Sequence, residues 1–365
     1  MGPAEVAVRS GSGYTAALYG LSLIALLNFY YLGSFLTREV ALQVLDLQVL
    51  RFNQEVAQDV RRDALVYGIL SLLISAYLLR LLGRQNESRP LAADHRNGRR
   101  GWATRLVCAL GVLAPPAVYL LLNGPRLSYE GFHAALGGAA VISKLLYATF
   151  LAIGLVYGKA LRTGVLKDDV IFVLALAAAV AATVGMRSFI ALAALTLIVA
   201  SRLTLTRLAV VAALLFVGMA LVSLVRSPAE PSLEMFAFHA GMAGWAAASQ
   251  VDLFFIASDV GGDSLMEALN LSEEYLSEGG GVGTFLPLEL ARWVAPHVAM
   301  ALFLALPLGF LLALRAGVRP LWILCFSAFY VIAVRNPASS WISGFAVFSL
   351  GAWLGHRFTL YDDRS

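Results

Sequence analysis

The sequence predicts an all-α polytopic membrane protein with about ten transmembrane helices in a single transmembrane domain, residues 1–365. Hydrophobic residues make up 59% of the chain and charged residues only 14%, whereas soluble domains carry about 25% charged residues. The apolar stretches also approach the roughly 20 residues that a spanning helix needs. The net charge of +4 belongs to basic loops without interleaved exposed aromatics, so no nucleic-acid partner is expected.

Six apolar stretches each match one spanning helix. The first is too long for a signal-peptide core and no small-residue cleavage site follows it, so it is predicted to be a retained helix. Two further stretches, 170–201 and 320–355, are too long for one helix and short for two. The six single spans are 14–36, 64–83, 106–123, 136–157, 208–225 and 293–314.

The basic residues between the apolar stretches decide the helix count, because such residues concentrate on the cytoplasmic side. They cluster at residues 80–105, 159–167, 202–207, 315–319 and 357. All clusters lie on one side only if both long stretches are helical hairpins. A single span through 170–201 would place Arg202 and Arg207 outside. Ten helices with both termini cytoplasmic are therefore predicted.

Two sizeable segments then face the outer side. Residues 38–63 have apolar positions at helical spacing and are predicted to form an outer amphipathic helix at the membrane surface. Residues 226–292 form a large outer loop, in which ten acidic residues and no basic residue lie between Arg226 and Arg292. Its stretch 236–257 is apolar enough to pack as a helix against the bundle, and the glycine-rich 278–284 predicts a flexible turn.

Each long apolar stretch contains one charged residue, and it lies at the predicted turn. Arg187 divides 170–201 into arms that span about 26 and 21 Å, less than the roughly 30 Å hydrocarbon core. Arg335 is the only charge in 320–355, where Asn336 and Pro337 interrupt the helix. Both arginines are therefore expected to lie below the outer membrane surface.

An arginine at such depth costs about 2.5–3.5 kcal/mol on insertion scales, so it requires a polar cavity and an anionic partner. The forked guanidinium fits phosphate. With Arg226 and Arg292 at the rim, Arg187 and Arg335 would form an electropositive pocket. Alternatively, each arginine extends to headgroup phosphates or pairs with an acid of the loop. The recurrence of the pattern in two hairpins favours the pocket.

Lys144 belongs to this pocket if its helix begins at Leu136. If the helix begins near Val141, Lys144 lies at the membrane interface, which is the interpretation we favour. No two histidines have metal-ligand spacing, and Cys108 and Cys325 fall in separate apolar stretches. No metal and no cofactor are therefore expected.

Candidate general bases lie in or near the outer loop. His239 titrates near neutral pH, and His297 near the end of a helix could also reach the pocket; for both, a structural role is the alternative. Glu289 lies one helical turn from Arg292, so it could serve as a base or pair with that arginine. The other acids considered are Asp252, Asp259, Asp263 and Glu267.

The chain resembles the bacterial O-antigen polymerase family, which is related to the O-antigen ligases. The likeness rests on the arginine-tipped hairpin Gly185-Met-Arg-Ser-Phe-Ile190 and on Arg335 in a late short hairpin. It also rests on Gly279-Gly-Gly-Val-Gly-Thr-Phe-Leu-Pro-Leu-Glu-Leu290, which leads into the helix containing Pro307-Leu-Gly309. The His-Asn pair typical of the ligases near the end of the loop is absent, which favours a polymerase.

The resemblance implies a membrane glycosyltransferase architecture of the GT-C type in the bacterial inner membrane. It implies metal-independent glycosyl transfer on the periplasmic side, with glycans on undecaprenyl pyrophosphate as donor and acceptor. A chain-length co-polymerase is a further candidate partner, beside the lipid bilayer. Arg187 and Arg335 would bind pyrophosphate with Arg226, Arg292 and Lys144, and Glu289 or His239 would be the catalytic base.

A transporter or flippase for an anionic lipid-linked glycan or metabolite is the alternative function. It would use the same cationic cavity but needs alternating access, usually with inverted repeats and interrupted helices. The sequence has no internal repeat, and it predicts interrupted helices only at Pro115–Pro116 and around Pro296 and Pro307. A structural membrane subunit, the third possibility, explains neither arginine hairpin.

Overall fold

The computed structural model describes residues 3–45, 58–87, 102–124, 131–132, 140–163, 172–177, 179–180, 251, 254–255, 285–333 and 338–362. Within these ranges the secondary structure is helical, without strands. The named helices are α1 Pro3–Leu45, α2 Gln58–Glu87, α3 Trp102–Asn123, α4 Ala140–Thr163, α5 Leu286–Leu290, α6 Pro296–Arg315, α7 Pro320–Ala333 and α8 Ala338–Asp362.

Four of the described helices are long and apolar enough to cross a membrane. The spans are Ala17–Leu36 in α1, Arg62–Arg84 in α2, Arg105–Asn123 in α3 and Pro296–Arg315 in α6. Helices α2 and α3 expose large apolar side chains along their length, among them Leu73 and Leu110. Exposing such apolar faces to water is unfavourable, whereas contact with lipid is not. The prediction of an all-helical membrane protein is thus confirmed, and the count of ten spans stays a prediction.

The helices run in alternating directions between two ends of the bundle. We name them the Glu289 end, where α6 begins, and the Arg315 end, where α6 ends. Helix α1 is antiparallel to α2, because Ala25 contacts Ser75 and Leu36 lies against Gly68. It is also antiparallel to α6, because Asn28 contacts Phe303 and Tyr14 lies near Arg315. It is parallel to α7, because Gly20 lies against Ser327 and Asn28 against Tyr330.

The direction of α4 adds a constraint on the chain that follows it. Gly154 packs beside Phe348 and Gly158 beside Ala352, so α4 is parallel to α8. Because only residues 334–337 separate α8 from α7, α8 starts near the Glu289 end, so α4 ends toward the Arg315 end, whereas α6 begins at the Glu289 end. The chain between them therefore connects opposite ends of the bundle; most of it lies outside the described residues, and the three crossings of residues 170–225 stay a prediction.

The second arginine hairpin is described in large part. Residues 320–355 were predicted to form two helices, and α7 and α8 confirm this prediction. Their connection, residues 334–337, lies outside the described residues. In the other long stretch, residues 172–177 and 179–180 are helical, and three of their side chains join the core, Val173, Leu174 and Ala177.

The predicted outer segments are described only at their margins. Helix α1 extends to Leu45 and α2 begins at Gln58, so residues 46–57 of the predicted amphipathic segment lie outside the described part. The span 208–225 also lies outside it. In the stretch 236–257, the described residues Val251, Phe254 and Phe255 are helical and buried in the core. For these three residues, the prediction of a helix packed against the bundle is confirmed.

Helices α4 and α8 pack through glycines from both partners. Gly154 and Gly158 lie one turn apart on α4, as do Gly351 and Gly355 on α8. A Cβ added to Gly158 would overlap the carbonyl oxygen of Ala352, and one added to Gly355 would overlap that of Leu155. The two backbones are therefore in direct contact, which is how helices associate in lipid, where apolar burial gives little driving force.

The prolines inside α3 and α6 do not interrupt these helices. Breaks were predicted at Pro115–Pro116 and around Pro307, but both helices continue through them, and this prediction is wrong. Proline leaves the carbonyl four residues earlier without its helical donor. The Thr149 hydroxyl donates to the carbonyl of Gly111 at 3.2 Å, and the Asn28 amide donates to that of Phe303 at 2.7 Å. Neighbouring helices thus satisfy the carbonyls that Pro115 and Pro307 leave open.

Asn28 is the centre of a buried junction between three helices. Its amide donates to α6 at Phe303, and its side-chain oxygen accepts a hydrogen bond from the Tyr330 hydroxyl of α7 at 2.5 Å. Both side chains are almost fully buried. A polar group left unpaired in this interior would have no water to bond. The two hydrogen bonds of Asn28 therefore hold α1, α6 and α7 together at the same depth in the bundle.

Replacing Asn28 by leucine is expected to destabilise the protein by about 1–2 kcal/mol, since the Phe303 carbonyl loses its donor. The same substitution should be milder in a Pro307→Ala background, where the residue at 307 regains its N–H and can bond that carbonyl within α6. Thermal unfolding in detergent is measured for the wild type, for each single variant and for the double variant. The four values give the coupling between Asn28 and Pro307. Equal losses in both backgrounds would show that the proline-freed carbonyl is not what Asn28 satisfies.

Candidate functional site

The segment that carries Glu289 folds as a short helix at the Glu289 end. Phe285 is extended and precedes α5, whose second residue is Pro287. Proline is favoured in a first turn, where its missing N–H would have no helical acceptor. The amides of Leu288 and Glu289 bond the Phe285 carbonyl at 2.9 and 3.1 Å, and these bonds fix the position of the Glu289 backbone.

A cluster of aromatic rings holds this segment against the bundle. The fully buried Phe285 ring lies 5.1 Å from Tyr31 of α1, 5.2 Å from Phe303 of α6 and 6.0 Å from Phe254, between ring centroids. Phe255 continues the cluster to α2 by stacking with Tyr67 at 6.1 Å. Each such pair contributes about 0.5–1.5 kcal/mol beyond the area it buries. Parts of the chain that are distant in sequence thereby meet at the Glu289 end.

Glu289 is the acidic side chain that this packing buries. The residue is 7% exposed, and one carboxylate oxygen lies 3.7 Å from Nε of Arg292, one turn further along the chain. The Arg292 side chain remains 31% exposed. This ion pair is the alternative that the sequence left open for Glu289, and the role of Glu289 as a base stays a prediction. The carboxylate of Glu289 is thus shielded from solvent. The neighbouring guanidinium of Arg292 is accessible to solvent or to an anionic ligand.

The remaining predicted site residues differ in how far the structure describes them. Arg187, Arg226, Arg335 and His239 lie outside the described residues, and their roles stay predictions. Lys144 lies on α4, which begins at Ala140 in the described part, and its side chain is exposed. Residues 133–139 lie outside the described part, so where this helix begins is not described and both alternatives for Lys144 stay open.

His297 lies in the first turn of α6, close to α2. Its Nδ1 is 3.4 Å from the Tyr67 hydroxyl oxygen, and the Tyr67 ring stacks on Phe255. The imidazole therefore takes part in the contact between α2 and α6, which supports the structural alternative for this histidine. Among the residues described, no three His, Cys, Asp or Glu side chains are grouped to hold a metal ion.

Helix α7 runs toward the Glu289 end of the bundle. Tyr330, in its last described turn, is hydrogen-bonded to Asn28 of α1, and Ala333 is its last described residue. The connection that contains Arg335, residues 334–337, lies outside the described part, so its depth stays a prediction.

Asn28 and the two glycine pairs were not among the residues predicted to be important. One asparagine inside an otherwise apolar span was a usable signal, since polar residues in such spans seldom lack a partner. The two glycine pairs at four-residue spacing were another, because this spacing is typical of close helix contacts in membranes. Neither signal names the partner helix, which only the packing shows.

These features define the class of the protein. It is a helical, membrane-embedded multi-pass protein in which a buried carboxylate lies beside a partly exposed guanidinium at one end of the bundle. No protein-family model, curated protein or solved structure matches the chain. Its function must therefore be argued from the residues and their positions.

Proposed function

We propose that this protein polymerises undecaprenyl-pyrophosphate-linked oligosaccharide repeat units by glycosyl transfer on the periplasmic side of the bacterial inner membrane. The product would be an O-antigen or a related surface polysaccharide. The observation that supports this most is the direction of α7. It runs toward the end of the bundle at which the buried carboxylate of Glu289 lies beside Arg292, and Arg335 follows α7 in the chain.

The chemistry explains why arginines below the outer membrane surface would serve this reaction. A hydroxyl oxygen of the acceptor sugar forms a bond to the anomeric carbon of the donor, and the bond from that carbon to the phosphate oxygen breaks. The leaving lipid pyrophosphate takes the electron pair and gains negative charge. Guanidiniums held in a low-dielectric pocket stabilise this charge. Arg187 and Arg335 would bind the pyrophosphate, with Arg226 or Arg292 and Lys144 assisting.

The acceptor hydroxyl must also lose its proton. Glu289 is suited to accept it, because its carboxylate is shielded by the aromatic cluster and neighbours a cation that can approach the diphosphate. A proton acceptor has to lie within hydrogen-bond reach of the hydroxyl. His239 is the other proposed base. The pairing of Glu289 with Arg292 would then link the proton acceptor to the group that binds the leaving group.

The reaction can be tested with the purified chain in liposomes. Lipid-linked oligosaccharide extracted from membranes of the source cells is added, and the glycan released from the lipid is separated by length. A polymerase yields a ladder of longer glycans without added metal. A transporter moves the substrate between leaflets and yields none, so an unchanged glycan length with properly folded protein would refute the proposal in favour of the alternative.

Replacing Glu289 by glutamine should lower the polymerisation rate by about 100-fold or more, because the amide cannot accept the proton. The substitution is close to isosteric and keeps an oxygen near Arg292. We therefore expect little change in the unfolding temperature. The measurement is the initial rate of glycan elongation across a range of pH, together with thermal unfolding of the same preparation.

Glu273→Gln, a substitution of an acid of the same outer loop that is not a candidate base, is the matched control and should leave the rate within about twofold of wild type. A wild-type rate for Glu289→Gln, combined with an inactive His239→Gln, would assign the base to His239. A lowered unfolding temperature with an unchanged rate would show that Glu289 serves only to anchor Arg292.

A further inference from the structure

The Arg315 end carries a second cationic cluster, remote from the Glu289 end. Arg315 lies in the last turn of α6, and its guanidinium lies close enough to the hydroxyls of Tyr14 of α1 and Tyr77 of α2 to interact with both. Three helices thus meet at one arginine. The two tyrosine hydroxyls orient the planar guanidinium, which has five N–H donors in a fixed fork.

This arginine is not needed to cap its own helix. The last carbonyls of α6 already accept backbone N–H groups, from Ala316 to Leu312 at 2.8 Å and from Val318 to Ala313 at 3.0 Å. Gly317, with a φ of 96°, makes the reversal that allows these bonds. Since the backbone satisfies the helix end, the Arg315 guanidinium is not required for capping, and its side chain is exposed.

Two more arginines extend the cluster along α2. Leu73, Tyr77, Arg80 and Arg84 are spaced by four, three and four residues, so they share one face of this helix. Arg80 and Arg84 are exposed. In the ranges that the structure covers, no carboxylate pairs with Arg315, Arg80 or Arg84, so their positive charge is not neutralised by those residues.

The surface changes from apolar to cationic along the helix axis. Leu73 is 59% exposed on α2 and Leu312 is 65% exposed on α6, each about one turn deeper in the bundle than the tyrosine or arginine beside it. Toward the Arg315 end, the tyrosines come next along the helix axes, and the arginines come after them. A phospholipid presents the same order, from acyl chains to glycerol to phosphate, and tyrosine is typical of the middle level. A soluble phosphate would gain nothing from the exposed leucines.

We infer that the corner formed by Arg315, Arg80, Arg84, Tyr14 and Tyr77 is a binding site for the headgroup phosphate of an anionic phospholipid. The Arg315 guanidinium donates to two phosphate oxygens, and the tyrosine hydroxyls keep the guanidinium oriented. The arginines of α2 add electrostatic attraction for the net negative charge of the lipid. The acyl chains lie against Leu73 and Leu312. Such a lipid joins α1, α2 and α6 at the end opposite the proposed active site.

The test uses the full chain in mild detergent, mixed with phosphatidylglycerol or with phosphatidylcholine, and native mass spectrometry to count bound lipids. The wild-type protein should retain phosphatidylglycerol in preference to phosphatidylcholine. Arg315→Gln should lower the bound phosphatidylglycerol by about fivefold. Tyr77→Phe should lower it by a smaller factor, because the ring remains and only the orienting hydroxyl is lost.

Arg357→Gln is the matched control, since Arg357 lies 4.8 Å above the Trp353 ring on α8 and the variant loses the same charge elsewhere. It should keep the preference for phosphatidylglycerol. Equal losses in Arg315→Gln and Arg357→Gln would overturn the inference, because net charge alone would then explain binding. Displacement of the lipid by millimolar inorganic phosphate would also overturn it, since the site would then recognise free phosphate.

Discussion

Replacing Gly158 by alanine is expected to weaken the protein more than any other single-methyl addition at a described glycine. The new Cβ would overlap the backbone oxygen of Ala352, and a backbone atom cannot move aside as a side chain can. Helices α4 and α8 would have to separate along their whole contact. Overpacking of this kind costs about 1–3 kcal/mol, and Gly158→Leu should prevent recovery of folded protein.

Gly309→Ala is the matched control, because it makes the same chemical change in the middle of α6, where a Cβ would meet no atom within 4 Å. Alanine has the higher helix propensity, by about 1 kcal/mol, so this variant should be as stable as wild type or slightly more stable. Unfolding temperatures in one detergent compare the two. A stable Gly158→Ala protein would mean that the α4–α8 backbones do not touch as described.

Replacing Arg187 by lysine is expected to abolish most glycan elongation although the positive charge is kept. A lysine presents a single point charge, whereas the proposed site needs a planar fork that bonds two oxygens of the diphosphate. Loss of one such stabilising group lowers the rate by about 100- to 1000-fold. Arg335→Lys should behave alike. Polymer length in cells and elongation rates in liposomes measure the effect, at matched protein levels.

Arg319→Lys serves as the control for this pair, since Arg319 is exposed in the turn between α6 and α7 at the Arg315 end. It should leave polymer length unchanged. Wild-type polymer from Arg187→Ala cells with normal protein levels would refute the pyrophosphate-binding role. Loss of polymer in Arg319→Lys as well would show that the assay reports membrane insertion rather than binding.

Hydropathy was sufficient to locate most of the described helices. The predicted spans 64–83 and 106–123 lie inside α2 and α3, and the arginine-divided stretch 320–355 is indeed two helices. Helix ends were less predictable. Helix α1 extends from Pro3 to Leu45 around a predicted span of 14–36, because hydrogen bonding within a helix can continue into polar sequence after the apolar stretch has ended.

The candidate site was likewise predictable only in part. The pairing of Glu289 with Arg292 followed from their spacing of three residues. The burial of Glu289 did not, because it depends on Tyr31, Phe254 and Phe303, rings that are distant in sequence and that Phe285 brings together. The direction of α7 toward the Glu289 end also depends on its contacts with α1, Gly20 with Ser327 and Asn28 with Tyr330, which no pattern within α7 alone contains.

By itself, the sequence determined that this protein is a helical membrane protein, because hydrophobicity and backbone hydrogen bonding within a helix are local properties. Only the tertiary structure decided which helices touch and why the prolines do not interrupt them. The carbonyls opposite Pro115 and Pro307 are satisfied by Thr149 and Asn28, and α4 meets α8 through paired glycines. Both depend on which surface of one helix faces another, and that is settled when the whole bundle packs.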